Sequence, residues 1–193
     1  MNLKILMVLC LLSVLAACSG GPQSGRDADP VDEPQTYLVD GVAFTPEKME
    51  AFANQNATLF YVATPEAFSS GRVHVFTDQE AYASFKKQYA REFKQKLTPQ
   101  TSCWTDLDKK TSLYKGSGYS GSVLKLIKGS SYTSAALGSF NQTISSVKGA
   151  CSVWTDLYDG SNFTGTTWST FGNNFSGLPS WIDNDASSVK VGQ

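Results

Sequence analysis

The sequence predicts a mainly β protein, in which a small α+β module precedes an antiparallel sandwich or barrel built from a duplicated unit. The first observation is a pattern that occurs twice: an aromatic residue, four further residues, a second aromatic, one residue and a glycine, from Tyr114 to Gly121 and from Tyr158 to Gly165. The copies lie 44 residues apart (158 minus 114), which indicates a duplicated supersecondary unit. The second is the alternation of short apolar bursts, such as 123–127 and 168–171, with glycine-containing turns, which is typical of antiparallel strands.

The N-terminus has the features of a targeting segment. Lys4 precedes an apolar run over 5–14 that is too short for a permanent transmembrane helix. The run ends in Leu15-Ala16-Ala17-Cys18, which resembles the bacterial lipobox, in which the chain is cut before the cysteine. We therefore predict a lipoprotein signal peptide over 1–17. An ordinary secretory signal is the alternative.

Cys18 is then predicted to be lipid-modified and to attach the protein to a membrane. Several acyl chains on one residue give stable binding, whereas one chain binds only marginally. Ser19 favours the outer membrane in a Gram-negative cell, because aspartate at that position favours retention in the inner membrane. Residues 18–36 are rich in glycine, proline, serine and charge, which predicts a disordered tether. The expected location is the cell envelope.

Residues 37–97 are predicted to form the small α+β module. Asp40-Gly41 is a hairpin turn signal between two apolar triplets. Thr45 followed by proline has the features of a helix N-cap, and Thr77 with Glu80 has those of a capping box that opens a second helix. Two further apolar stretches are predicted strands: 59–63 and 73–76.

The second predicted helix carries two kinds of side chain. Its aromatic residues recur every three or four positions, which predicts a core face: Tyr82, Phe85, Tyr89 and Phe93. Its basic residues are predicted to form a solvated face, with contact to anionic lipid as the alternative: Lys86, Lys87, Arg91, Lys94 and Lys96. His74, the only histidine, is predicted to be a structural or surface residue, since no Gly-x-Ser-x-Gly nucleophile motif accompanies it.

Charge and cysteine content limit the partners. The formal net charge of −1 argues against nucleic acid, and charged residues make up only 17 % of the chain. Cys103 and Cys151 stand at the starts of the two repeat units, and export permits a disulfide between them. Two buried free thiols are the alternative. Zinc is disfavoured, because the chain has one histidine and no companion cysteine pair.

Each repeat contains a second element downstream of its glycine. Polar loops over 141–146 and 183–188 follow the order Asn/Asp, a second position, two variable residues, then two hydroxyl residues. Together with the aromatic and glycine pattern, this double signature resembles the βγ-crystallin family. The resemblance implies a double Greek key domain over 101–193, with motifs at 101–149 and 150–193 and eight strands, four in each half.

The resemblance also implies calcium binding by these loops. In microbial members each domain holds two sites, built from loop carbonyls and hydroxyls and from a carbonyl after the first aromatic of the other motif. The implied ligands are all oxygen donors and fall into two groups: Asn141, Thr143, Ser145 and the Asp159 carbonyl, and Asp183, Asp185, Ser187 and the Lys115 carbonyl. Gln142 departs from the pattern, and the first loop contributes no acid, so the second site is expected to bind more tightly. Greek key loops without metal are the alternative.

The predicted function is a lipid-anchored, non-enzymatic envelope protein stabilised by calcium. The main alternative is a protease inhibitor or antimicrobial protein of crystallin-like fold. A glycan hydrolase would need paired carboxylates, for which the candidates are Asp106, Asp156 and Asp159. A sugar-binding surface would use exposed tryptophans, although core packing explains them more simply: Trp104, Trp154, Trp168 and Trp181.

Overall fold

The computed structural model describes residues 34, 36–56, 58–96 and 110–192. Within these ranges the protein is mainly β, which confirms the predicted fold class. The strands are β1 Thr36–Val39, β2 Val42–Phe44, β3 Phe60–Ala63, β4 Arg72–Phe76, β5 Lys110–Gly116, β6 Ser120–Ile127, β7 Ser131–Tyr132, β8 Ser146–Lys148, β9 Trp154–Tyr158, β10 Thr167–Phe171, β11 Asn174–Phe175 and β12 Ser188–Val191. The helices are α1 Pro46–Ala53, α2 Pro65–Ser70, α3 Gln79–Lys96 and α4 Ser134–Leu137, which leads into a 3-10 turn, Gly138–Phe140.

Local sequence signals account for much of the N-terminal module. The β1–β2 hairpin turns at Asp40 and Gly41, both of which have positive φ. The Thr45 hydroxyl oxygen accepts a hydrogen bond from the Lys48 amide at 3.4 Å, which confirms the first predicted cap. The predicted capping box at Thr77 is wrong: Asp78 accepts from the Ala81 amide at 2.8 Å, while the Thr77 hydroxyl donates to Asp40 Oδ2 at 2.7 Å. No helix in the described ranges is long and apolar enough to cross a membrane.

The C-terminal strands form two sheets by exchange between the repeats. The four-stranded sheet has the order β11-β8-β5-β6, so the first repeat receives its fourth strand from the second. In return, β7 of the first repeat pairs with β12 of the second. Each repeat thus contributes four strands but completes its sheet with a strand from the other, which is the double Greek key arrangement that the resemblance implies. The described residues 110–192 contain eight strands, four from each repeat, as predicted.

The sheet of the N-terminal module continues into the sheet of the second repeat. Strand β3 pairs in parallel with β10, and Phe60 lies opposite Thr167 and Ala63 opposite Thr170. The resulting eight-stranded sheet has the order β2-β1-β4-β3-β10-β9-β12-β7. The strand β10 is therefore not an open edge, and a continuous sheet joins the module to the repeats.

Side chains alternate between the two faces of this sheet. On one face, Leu157 and Trp168 lie in a core shared with the four-stranded sheet and with Met49 of α1. On the other face, Trp154 and Phe171 pack beneath α3. The aromatic stripe of α3 forms the helix side of this second core, which confirms its predicted role: Tyr82, Phe85, Tyr89 and Phe93.

His74 lies at the margin of the second core. Its ring is 4.8 Å from that of Phe85, and the residue is half-buried. Burial lowers the pKa of His74, although the negative charge of Glu66 opposes the shift. The position is consistent with the structural role predicted for this histidine.

Candidate functional site

The aromatic pairs of the two repeats have the same geometry. Tyr114 and Tyr119 meet edge to face at 5.7 Å between ring centroids and 63° between ring planes, and Tyr158 and Phe163 do so at 5.8 Å and 72°. The second aromatic of each pair has positive φ, 58° for Tyr119 and 64° for Phe163. The glycine that follows is also in the left-handed region. At Gly165 an added Cβ would collide with the Asp159 carboxylate, so no larger residue fits without rearrangement.

The last serine of each polar loop stabilises the turn that carries the aromatic pair and its glycine, which we call the aromatic corner. The Ser146 hydroxyl donates to the Gly116 carbonyl at 2.6 Å, and the Ser188 hydroxyl donates to the Gly160 carbonyl at 2.7 Å. Both residues are fully buried. The second hydroxyl position of the motif therefore serves the fold, which leaves the preceding serine as the candidate for ligand binding.

The two polar loops bind each other reciprocally. The backbone amide of Gln142 donates to the Ala186 carbonyl at 2.9 Å, and the backbone amide of Asn184 donates to the Ile144 carbonyl at 3.0 Å. Gln142 and Asn184 both have positive φ, 53° and 59°. Asparagine adopts this conformation more readily than glutamine does, so the first loop carries more backbone strain.

The backbones of the two loop serines lie beside the aromatic pairs of the repeats. The Ser145 amide donates to the carbonyl of Tyr114, the residue before Lys115, at 2.9 Å. The Ser187 amide donates to the carbonyl of Tyr158, the residue before Asp159, at 2.7 Å. Each loop serine thus lies beside the aromatic corner of its own motif. These bonds position the serine backbones, and the predicted exchange of ligands, Ser145 with the Asp159 carbonyl and Ser187 with the Lys115 carbonyl, stays a prediction.

The side chains of the loops form one hydrogen bond across their shared boundary and others within each loop. The Ser145 hydroxyl donates to Asn184 Oδ1 of the other loop at 3.0 Å. The Thr143 hydroxyl donates to the Ser139 carbonyl at 3.1 Å, so its backbone oxygen is the candidate ligand. The Ser187 hydroxyl reaches the Asp185 carbonyl at 3.4 Å.

Electrostatics near Asp159 favour a bound cation. Burial raises the pKa of Asp159, and the nearby negative charge of Asp185 raises it further, against hydrogen bonds from the Thr166 and Gly160 amides. The charge of Asp185 thus raises the free-energy cost of ionising Asp159, and a positive ion beside the two carboxylates would lower that cost.

Two oxygen atoms in the loops have no partner. Asn141 Oδ1 and Asp183 Oδ1 are buried and accept no hydrogen bond. They occupy the same first position of the two loops, 42 residues apart (183 minus 141). A buried oxygen without a donor costs free energy, and a hard cation would satisfy it. The loop oxygens therefore fit calcium, although the described ranges contain no cluster of three or more His, Cys, Asp or Glu side chains.

Several predicted site residues lie outside the described residues. They are Cys18 of the lipobox, Cys103 of the predicted disulfide, and the enzyme and sugar candidates Trp104 and Asp106. The pairing of Cys103 with Cys151 stays a prediction. Trp154 and Trp168 are buried, 3 % and 1 % exposed, so the sugar-binding hypothesis is wrong for these two. The ring of Trp181 packs against the ring of Tyr61, with 4.2 Å between the ring centroids, so Trp181 is also used mainly in packing.

The structure contains one buried charge pair that sequence reasoning missed. Lys86 is 7 % exposed rather than solvated, and its ammonium contacts both Asp156 oxygens at 2.7 and 2.6 Å. Tyr82 and Ser169 complete the network: their hydroxyls lie 2.6 Å apart, and Ser169 donates to Asp156 Oδ1 at 2.7 Å. Burial lowers the pKa of Lys86, although the Asp156 charge opposes the shift. With its carboxylate occupied in this way, Asp156 is poorly placed to act as a hydrolytic acid.

Comparison with known proteins gives structural matches only. No protein-family model matches the chain, and no curated protein sequence does. A βγ-crystallin domain from Clostridium beijerinckii is 27 % identical and covers 43 % of this chain and 97 % of its own, with a TM-score of 0.40. A βγ-crystallin domain from Flavobacterium johnsoniae is 28 % identical, with coverage of 42 % and 91 % and a TM-score of 0.39.

The N-terminal domain of protein S is 29 % identical, with coverage of 42 % and 93 % and a TM-score of 0.39. These matches span less than half of the chain, and the assignment depends on the exchanged strands, the paired aromatic corners and the reciprocal loops. On these features, residues 110–192 are consistent with a βγ-crystallin domain.

Proposed function

We propose that the protein is a lipid-anchored, non-enzymatic component of the cell envelope whose crystallin-like domain binds calcium and is stabilised by it. The observation that carries the calcium proposal is the pair of buried oxygens without hydrogen-bond partners, Asn141 Oδ1 and Asp183 Oδ1, at equivalent positions of the two loops. The raised pKa of Asp159 beside Asp185 supports it independently. Loop carbonyls and the Ser145 and Ser187 hydroxyls supply further oxygen donors.

Calcium is expected to stabilise the folded chain. A ligand that binds only the folded state stabilises it by about 2.7 kcal/mol per site at about 100 times the dissociation constant, which we expect at about 10⁻³ to 10⁻⁵ M. Isothermal titration should give heat for calcium, and the melting temperature should fall when a chelator removes the ion. If calcium produces neither heat nor a shift in melting temperature, the calcium proposal fails, while the description of the fold is unaffected.

Two matched variants make this test specific. Asp183→Asn removes a charge from the second loop and should weaken calcium binding there, because affinity rises with ligand charge. Asn141→Asp adds a charge at the equivalent position and should strengthen binding by the first loop. Opposite shifts in the two variants support the site. Equal affinities in both variants and the parent chain would show that these oxygens are not ligands.

The anchoring proposal rests on the lipobox alone. Cys18→Ser removes the thiol that would carry the lipid, so the variant should move from the membrane fraction to the soluble fraction of the cell envelope. Incorporation of labelled palmitate into the parent chain, and its loss in the variant, measures this directly. Palmitate labelling that persists in the variant would contradict the assignment of Cys18.

A further inference from the structure

A cleft lies on the outer face of the eight-stranded sheet, beside α3. Its volume is about 810 Å³, and its walls come from α3, from β9 and β12, and from the turn after β6. The helix α3 covers β9 and β10 with its aromatic stripe but leaves the adjoining β12 open. The cleft is therefore formed only because the N-terminal module and the second repeat share one sheet.

The charged lining is strongly unbalanced. It contains five cationic side chains and one carboxylate: Lys86, Lys87, Arg91, Lys128, Lys190 and Asp156. The carboxylate already holds Lys86 in an ion pair at 2.6 Å. Among the described residues, no carboxylate lies within ion-pair distance of the other four cations. Like charges around one concave surface create a positive potential that an anion would relieve.

The cations stand on opposite walls. Lys87 and Arg91 are one turn apart on α3, while Lys190 belongs to β12 and Lys128 to the turn after β6. The Lys190 ammonium lies over the Phe163 ring at 4.4 Å, which holds this charge close to the sheet. The guanidinium of Arg91 offers paired donors for a carboxylate or phosphate, and the lysines offer point charges.

The floor of the cleft is apolar. Ala83 and Ala90 of α3 supply its accessible apolar surface, while Trp154 and Phe171 of the sheet lie beneath at 3 % and 2 % exposure. Binding sites for small molecules combine such apolar walls with a few well-placed polar groups, and their volumes run from about 300 to 1,000 Å³. An inorganic ion would leave this apolar surface unused, whereas an organic anion would contact both parts.

We infer that the cleft binds a small organic anion that carries two negative charges on one end and an apolar ring on the other. The charged end lies between Arg91 and Lys87 on one side and Lys190 and Lys128 on the other, and the ring lies against Ala83 and Ala90 of α3. None of the loop residues 141–146 and 183–188 lines the cleft.

Phenyl phosphate is a suitable probe, because it combines a dianion with a ring. The full chain in non-ionic detergent and chelator should bind phenyl phosphate at least about tenfold more tightly than inorganic phosphate or phenol, because each control lacks one half of the ligand. Titration calorimetry measures all three. The inference would be overturned if phenyl phosphate does not bind, or if inorganic phosphate binds equally well.

Two arginine variants locate the site. Arg91→Gln should weaken phenyl phosphate binding by about tenfold or more, since it removes charge-assisted hydrogen bonds to the phosphate. Arg72→Gln removes an exposed arginine of β4 that does not line the cleft, and should leave binding unchanged. Equal weakening in both variants would overturn the assignment.

Lys190→Gln tests the opposite wall of the cleft, and it serves as a second test if the Arg91→Gln variant does not fold. It too should weaken phenyl phosphate binding, and binding by the parent chain should fall as sodium chloride is raised, because salt screens exposed charges. Binding that is insensitive to both salt and Lys190→Gln would overturn the inference.

Discussion

Replacing Lys86 with methionine is expected to lower the free energy of unfolding by about 3–5 kcal/mol, because it leaves the Asp156 carboxylate buried without its cation. Asp156 is 2 % exposed, so water cannot replace the lost partner without opening the packing of α3 on the sheet. The remaining donor in the network, the Ser169 hydroxyl at 2.7 Å, does not carry a positive charge. Chemical denaturation of the parent chain and the variant gives the difference.

The adjacent lysine is the matched control. Lys87 is exposed, so Lys87→Met should change stability by no more than about 0.5 kcal/mol. The double variant Lys86→Met with Asp156→Leu removes both charges and should recover most of the lost stability, since an apolar pair of similar volume often replaces a buried ion pair without cost. A double variant as unstable as Lys86→Met alone would show that shape, rather than the unpaired charge, is responsible.

A fragment that begins at residue 98 is expected to lose most of its stability as a monomer. Removal of the N-terminal module uncovers the β10 edge, which pairs with β3 in the full chain. It also exposes Trp154 and Phe171, each worth about 1.5–3 kcal/mol when buried. Against a typical domain stability of about 5–15 kcal/mol, this loss should lower the melting temperature by more than about 10 °C and promote association.

Light scattering and thermal melting of the fragment measure both effects. Trp154→Ser with Phe171→Ser provides the control. In the fragment these changes should reduce association, because they remove exposed apolar surface, whereas in the full chain they should be destabilising, because they remove core side chains. A monomeric fragment that melts at the temperature of the full chain would refute the covering role of α3.

The repeated motif was sufficient to predict the fold of the C-terminal half. The pattern is local and each copy forms the same corner, so the sequence encodes both the glycine position and the serine that locks it. The Asp40-Gly41 turn, the Thr45 cap and the aromatic stripe of α3 were predictable for the same reason. In each case the physical cause lies within a few residues of its effect.

Three features could not be predicted, because their causes are distant in the chain. The sequence around Lys86 predicts a solvated side chain, because its partner Asp156 lies 70 positions later in the chain. The pairing of β3 with β10 has no local signal, since any apolar strand of four residues can join a sheet edge. The hydrogen bond from the Ser145 hydroxyl to Asn184 depends on how the two loops cross, which the spacing of residues within each loop does not determine.

The strand order also has a consequence for the time at which the chain can fold. Strand β3 pairs with the nearby β4, but the partner of its other edge, β10, follows only about a hundred residues later, and the four-stranded sheet is completed only by Asn174–Phe175. Such non-local pairing gives a high contact order and slow folding. A ribosome must therefore release almost the whole chain before either sheet is complete, and until then the outer edge of β3 has no hydrogen-bonding partner strand.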